Sequence, residues 1–136
     1  MDPRSLFAPR LVVHAHCDIP CGIYDPTSAK IAADTVAKMV EKIAAITGME
    51  LADRNTFTRC VAVKEEHAEI CKKELLILWS DYFKPEHLEK YPKLHDTFWK
   101  AAKLCSKNKQ TVVAAAAAEL QAAVKEIADI FWATKK

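Results

Sequence analysis

Proline is confined to two parts of this chain, and glycine is almost absent. Pro3, Pro9, Pro20 and Pro26 lie in the first 26 residues, and Pro85 and Pro92 sit close together. Residues 27–84 and 93–136 contain no proline. Proline removes a helix hydrogen bond and clashes with the turn before it, so the proline-free stretches are the ones open to long helices. The only glycines are Gly22 and Gly48. Two glycines cannot supply the G-x-G-x-x-G or Walker loops that cradle phosphates, nor the many tight turns of an all-β fold.

Of the 136 residues, 51% are hydrophobic and 28% charged, which suits one packed domain rather than a disordered chain. A net charge of +2, with basic residues interleaved among acidic ones, excludes nucleic acid as a partner. No apolar run approaches the ~18 residues that a membrane span needs.

Asp25-Pro26-Thr27-Ser28 reads as a helix start, with Ser or Thr capping free amides. Ala29, Ala33, Val36, Val40 and Ile43 then recur at steps of three and four, one face of a helix closed by Thr47-Gly48. A second helix is expected from near Asp53 or Asn55 to about Phe83, with Phe57, Val61, Ala68, Cys71, Leu75, Leu78 and Tyr82 inward. Lys64 fills the missing step, where a lysine is expected to snorkel with a solvated head. Pro85 stops this helix, and Glu86 to Lys90 is one short turn. Pro92 suits the first turn of a third helix carrying Leu94, Phe98, Ala101 and Cys105. Ser106-Lys107-Asn108-Lys109 is expected as the connection to a last helix with Val113, Ala117, Leu120, Val124, Ile127 and Phe131 inward. The expected fold is all-α: an antiparallel up-down four-helix bundle.

Five cysteines at irregular spacing do not form a secreted disulfide framework. Cys60, Cys71 and Cys105 fall on helical stripes and read as small buried hydrophobes. Cys17 and Cys21 do not. They lie in His16-Cys17-Asp18-Ile19-Pro20-Cys21-Gly22-Ile23-Tyr24, where Pro20 fixes one dihedral and Gly22 permits an unusual one. That favours a tight hook bringing both sulfurs together. Spacing alone leaves three readings open. One is a chance pair or a disulfide, another a zinc site from His14, His16, Cys17 and Cys21, and the third a redox metal site.

The first fifteen residues do not fit the bundle. They carry Arg4 and Arg10 and end in Val13-His14-Ala15. Pro9 and Arg10 interrupt the apolar centre that an export signal needs. The segment is either a tail or a removable leader, and a cytoplasmic location is expected.

Residues 16–24 resemble the metal hook of nickel-containing superoxide dismutases, whose pattern is H-C-D-x-P-C-G-x-Y. The block from Trp79 through Tyr82, Lys84 and His87 to Pro92 is similar to that family, as are Ile130 to Lys136 and the leader piece Leu6-Phe7-Ala8-Pro9-Arg10. The resemblance runs nearly end to end. It implies cleavage after Ala15 by a leader-processing protease, making His16 the N-terminus of a 16–136 domain. It also implies one nickel ion per subunit, held by the His16 α-amine, the Cys17 amide nitrogen and the Cys17 and Cys21 thiolates. The His16 imidazole is the implied axial ligand of the oxidised metal. The implied substrate is superoxide and the implied assembly a homohexamer.

Further roles follow from the same resemblance. Tyr24 and Tyr82 would limit access to the hook, and Lys84 would attract the anion. Asp18 and Pro20 would shape the hook. Without the family, both tyrosines read as packed residues and Lys84 as a solvated helix-end lysine. His87 and His95 read as surface or packing residues. One departure stands out: the acidic side chain that supports the axial imidazole in the family, and the arginine that supports that acid, align with Ala32 and His67. Glu66, Asp34 or water are the candidate replacements. Two rival readings are a non-catalytic zinc- or nickel-binding helical module, in which His14 matters, and a helical scaffold with an incidental front end.

Overall fold

Asp25 begins the bundle. Its carboxylate Oδ1 accepts the Thr27 backbone N–H at 2.7 Å. Helix α1 then runs Thr27–Ala44. The computed structural model describes residues 22–136. The capping oxygen is therefore that of Asp25, not a Ser or Thr hydroxyl. Pro26 takes the cap position, which puts Thr27 and Ser28 inside the first turn.

Gly48 does not close α1 through a left-handed conformation. The helix ends where the Ala45 N–H reaches the Glu41 carbonyl and the Ile46 N–H reaches the Ile43 carbonyl, and among the described residues only Gly22 has a positive φ. Gly48 serves a different purpose. A Cβ there would collide with the Asp53 carboxylate, and Asp53 Oδ2 accepts the Glu50 N–H at 3.3 Å. This contact starts α2 at Leu51, a little earlier than Asp53 itself would suggest; α2 spans Leu51–Ile77.

A π-helical turn over Leu78–Tyr82 follows, then the short helix α3, Pro85–Lys90. Helix α4 spans Leu94–Gln110 and α5 spans Ala114–Thr134. Pro92 lies just outside α4, and Ser106 to Lys109 are helical rather than a connection; the link to α5 is residues 111–113.

Cross-helix contacts fix the direction of packing. Lys64 and Lys72 of α2 meet Asn108 and Ser106 of α4, while Trp79 meets His95. Numbers rise on one side as they fall on the other, so α2 and α4 are antiparallel. Helix α1 packs on α2 and α5, and α4 packs on the same two. This is the expected four-helix bundle.

The core is the expected one with three revisions, the first being Val113, which stands just outside α5 at its cap and is 43% exposed rather than inward. Val36, Cys71, Leu75, Phe98, Ala101, Cys105, Leu120, Ile127 and Phe131 are essentially sealed from solvent. Each large side chain among them contributes about 1.5–3 kcal/mol. Phe57, by contrast, is 44% exposed, because the inward stripe of α2 starts at Cys60. The third revision is Lys64, only 2% exposed rather than snorkelled. Its Nζ donates to the Asn108 and Lys109 carbonyls at 2.5 and 2.8 Å. The extra length of α4 explains this. Its last carbonyls lack helical partners and carry partial negative charge, and they sit over α2 where Lys64 can reach them.

Candidate metal centre

The described chain enters at Gly22, directly after Cys21. Its φ of +70° is the left-handed conformation that favours glycine. Among the described residues nothing lies within 4 Å of where a Cβ would stand, so there the need is conformational and not steric. Two residues on, the Tyr24 ring lies 5.7 Å from that of Tyr82. The two tyrosines singled out in the sequence are thus brought together, three residues past Cys21.

The π-turn delivers Tyr82. The Phe83 N–H reaches back to the Leu78 carbonyl at 3.1 Å, the wide i→i+5 closure that ends α2. Phe83 is extended, and Pro85 occupies the first turn of α3. The Lys84 N–H donates to His87 Nδ1 at 3.0 Å, so that nitrogen carries no proton. His87 then stacks on Tyr82 at 5.8 Å, and Phe83 and Phe131 flank the same ring at 5.0 and 4.4 Å. The Tyr82 hydroxyl is 2.6 Å from Thr134 Oγ1. The Lys135 ammonium lies 4.9 Å over the ring.

Lys84 is exposed beside this cluster, on a cleft it shares with Trp79, Phe83, Leu88 and His95. Trp79 Nε1 donates to His95 Nδ1 at 2.8 Å, so His95 is a local partner, as expected.

His14, His16, Cys17, Asp18, Pro20 and Cys21, with the leader and its cleavage point, lie outside the described residues. Among the described residues no group of three or more His, Cys, Asp or Glu side chains could hold a metal. Cys60, Cys71 and Cys105 are free thiols buried in helices, as packers should be. Ala32 is buried in the core. His67 Nδ1 lies 3.0 Å from the Val63 carbonyl. Asp34, one candidate replacement for the missing acid, is already occupied. Its Oδ2 takes the Lys30 ammonium and its Oδ1 the Gln121 amide, each at 2.8 Å. The Lys30 contact and then the Gln121 contact hold the Asp34 carboxyl below the usual range.

The roles of Thr134, Phe131 and Lys135 around Tyr82 were not visible from local pattern. Phe131 reads only as a core position, and Thr134 and Lys135 as a helix end. The π-turn has no signature in the sequence beyond Pro85 behind it.

An antiparallel four-helix bundle, preceded in sequence by a His-Cys-x-x-x-Cys segment and carrying paired tyrosines just after it, defines a helical protein with a candidate metal site at its N-terminal end. The chain belongs to the nickel-containing superoxide dismutases, whose family model matches residues 11–135. It is 44% identical over 131 residues to the superoxide dismutases [Ni] of Streptomyces seoulensis and Streptomyces coelicolor, covering 96% of this chain and of each relative. It superposes on the native nickel superoxide dismutase structure with a TM-score of 0.80, at 40% identity, covering 89% of this chain and all of that one. The apo structure of such an enzyme gives a TM-score of 0.76 at 38% identity, over 84% of this chain and 98% of that one.

Proposed function

We infer that the protein disproportionates superoxide into dioxygen and hydrogen peroxide, with nickel held by the segment from His16 to Cys21. The observation that carries the site reading is the pairing of Tyr24 with Tyr82 at 5.7 Å, three residues past the second thiolate. The donor chemistry fits nickel. Thiolate and nitrogen donors suit its tetragonal geometry, and the left-handed Gly22 supports a chain reversal directly after Cys21. Bound there, nickel supplies a centre able to give and take one electron.

The chain's own residues do the rest. Cys17 and Cys21 provide the thiolates, and His16 provides its imidazole and, once freed, its α-amine. Asp18 and Pro20 shape the hook. Tyr24 and Tyr82 narrow the approach. Lys84 adds positive charge at the mouth, where a local field raises the encounter rate with an anion.

Leader removal is the activating step in this reading. While Ala15 is attached, His16 offers an amide in place of an amine. A protease cutting after Ala15 therefore completes the ligand set. The working enzyme is a homohexamer in the cytoplasm. Among the described residues no helix is long and apolar enough to cross a membrane.

The test compares the full chain with a chain starting at His16, by bound nickel and by superoxide removal. The shorter chain is expected to load nickel and work, and the full chain to do neither well. Equal performance would overturn the activation step. Cys17→Ser in the shorter chain is expected to abolish activity and nickel loading with the helical circular dichroism intact. A variant that stays active would exclude this ligand set.

A further inference from the structure

We propose that Thr134 is a positioning residue that takes the phenol proton of Tyr82 and leaves the Tyr82 oxygen as a hydrogen-bond acceptor only. The proposal rests on the reading that Tyr82 limits access to the hook. It turns that steric role into a chemical one, discrimination between anions and neutral hydroxylic molecules.

The argument is a proton count. Tyr82 Oη and Thr134 Oγ1 are 2.6 Å apart, and distance alone allows either to donate. A threonine hydroxyl has one hydrogen. Thr134 Oγ1 donates that hydrogen to the Phe131 carbonyl, also at 2.6 Å. The carbonyl has a reason to take it. Helix α5 ends at Thr134, and the Lys135 N–H, which an unbroken helix would give to Phe131, turns to the Trp132 carbonyl instead. The last carbonyls of a helix lack backbone donors, and Thr134 supplies one. With its own hydrogen spent, Thr134 can only accept from Tyr82. The phenol proton therefore points at α5.

The ring has little freedom to undo this. Phe131, Phe83 and His87 flank it, and the Lys135 ammonium sits over its face. The capacity left on the Tyr82 oxygen is lone pairs. Such a group repels halides and azide, which need a donor, and receives O–H donors such as water and hydrogen peroxide. Tyr82 then offers no hydrogen bond to any anion, the substrate included, so attraction of superoxide falls to Lys84, and azide or halide finds no donor on Tyr82 to hold it at the mouth.

Two readouts test it. Tyrosine's paired Raman bands near 850 and 830 wavenumbers report whether a phenol donates or accepts, and subtracting the spectrum of Tyr82→Phe isolates Tyr82. In the full chain without nickel, the Tyr82 signal is expected to be that of a donor. It should shift away from the donor pattern in Thr134→Val and Thr134→Ala, and return in Thr134→Ser. In the nickel-loaded enzyme starting at His16, Thr134→Val is expected to make azide or chloride inhibition several-fold stronger, with Thr134→Ser close to wild type. An unchanged Raman signal in both Thr134→Val and Thr134→Ala would overturn the proton placement. A shifted signal with unchanged anion inhibition would overturn the discrimination while the proton placement and the steric access role of Tyr82 stood.

Discussion

Lys64 of α2 donates two hydrogen bonds to the end of α4, one to the Asn108 carbonyl at 2.5 Å and one to the Lys109 carbonyl at 2.8 Å. Asn108 extends the link, its Nδ2 reaching the Ala116 carbonyl of α5 at 2.8 Å. A single buried ammonium therefore ties α2 to α4 at the point where α4 gives way to α5.

Lys64→Met keeps the packing stem and removes the donors. Each carbonyl left dry costs about 1–3 kcal/mol, offset in part by no longer burying a charge. A net loss of about 1–3 kcal/mol is expected in urea unfolding at fixed protein concentration. The pH dependence has a definite sign. Burial lowers the Lys64 pKa from its ordinary 10.5. Its folded state thus favours the neutral amine, and the stability it contributes is full above 10.5 and declines as pH falls through the folded value. The gap between wild type and Lys64→Met should therefore widen from pH 7 towards pH 10. A gap that narrows would show that the charge is not buried at a cost.

Gly48→Ala tests the start of α2. The added methyl displaces the Asp53 carboxylate and so breaks its contact with the Glu50 N–H. Loss of such a cap costs about 0.5–2 kcal/mol. Asp53→Ala should cost a similar amount, and the double variant little more than either, because both remove one interaction. Additive losses in thermal melts would contradict this.

These two sites also mark what the sequence could and could not convey. Helix number, direction and most of the core were legible, because Val36, Leu75, Phe98 and Leu120 repeat at helical spacing and proline brackets the segments. The candidate hook was legible through the density of donors from His16 to Cys21. What stayed hidden depends on partners far away in sequence. Lys64 reads as a surface lysine until α4 is seen to run through Lys109. Thr134 reads as a frayed end until Tyr82 arrives from a π-turn. Gly48 invites a helix-end explanation because its true neighbour is a side chain, Asp53, whose rotamer no periodicity reveals.

Cys71 and Cys105 face one another across α2 and α4, 0% and 1% exposed. The hydrogen bond between the two thiols, then burial, push the Cys71 thiol up. Alkylation mapped by mass spectrometry should leave both unmodified in the folded protein and label both after guanidinium. Raising the pH to 9 should not speed labelling of the folded state, since only the thiolate reacts. A raised thiol pKa contributes stability below the ordinary value of 9.0 and loses it above. Rapid labelling at neutral pH would mean that the α2–α4 seam opens readily.

Lys84→Gln probes attraction of the substrate. The side chain is exposed, so its charge acts through solvent and is screened over about 8 Å at physiological salt. A fall of about 2–5-fold in kcat/KM is expected at low ionic strength, shrinking as salt is added. A loss that ignores salt would point to a contact role.

Gly22→Ala separates the hook from the bundle. Holding an L-residue at a φ of +70° costs about 1–2 kcal/mol, and no atom of the described residues lies close enough to add a clash. That cost falls on the residue that follows Cys21 and not on the helices, whose first turn begins at Thr27. In the chain starting at His16, nickel affinity measured against a competing chelator should fall about 5–30-fold, the equivalent of that energy. The thermal midpoint of the metal-free protein should stay within a degree or two of wild type, since the core is untouched. Gly22→Asn should recover part of the affinity, because asparagine tolerates the left-handed region better than alanine. If Gly22→Ala bound nickel as tightly as wild type, the metal-bound hook would not require the left-handed backbone seen at Gly22.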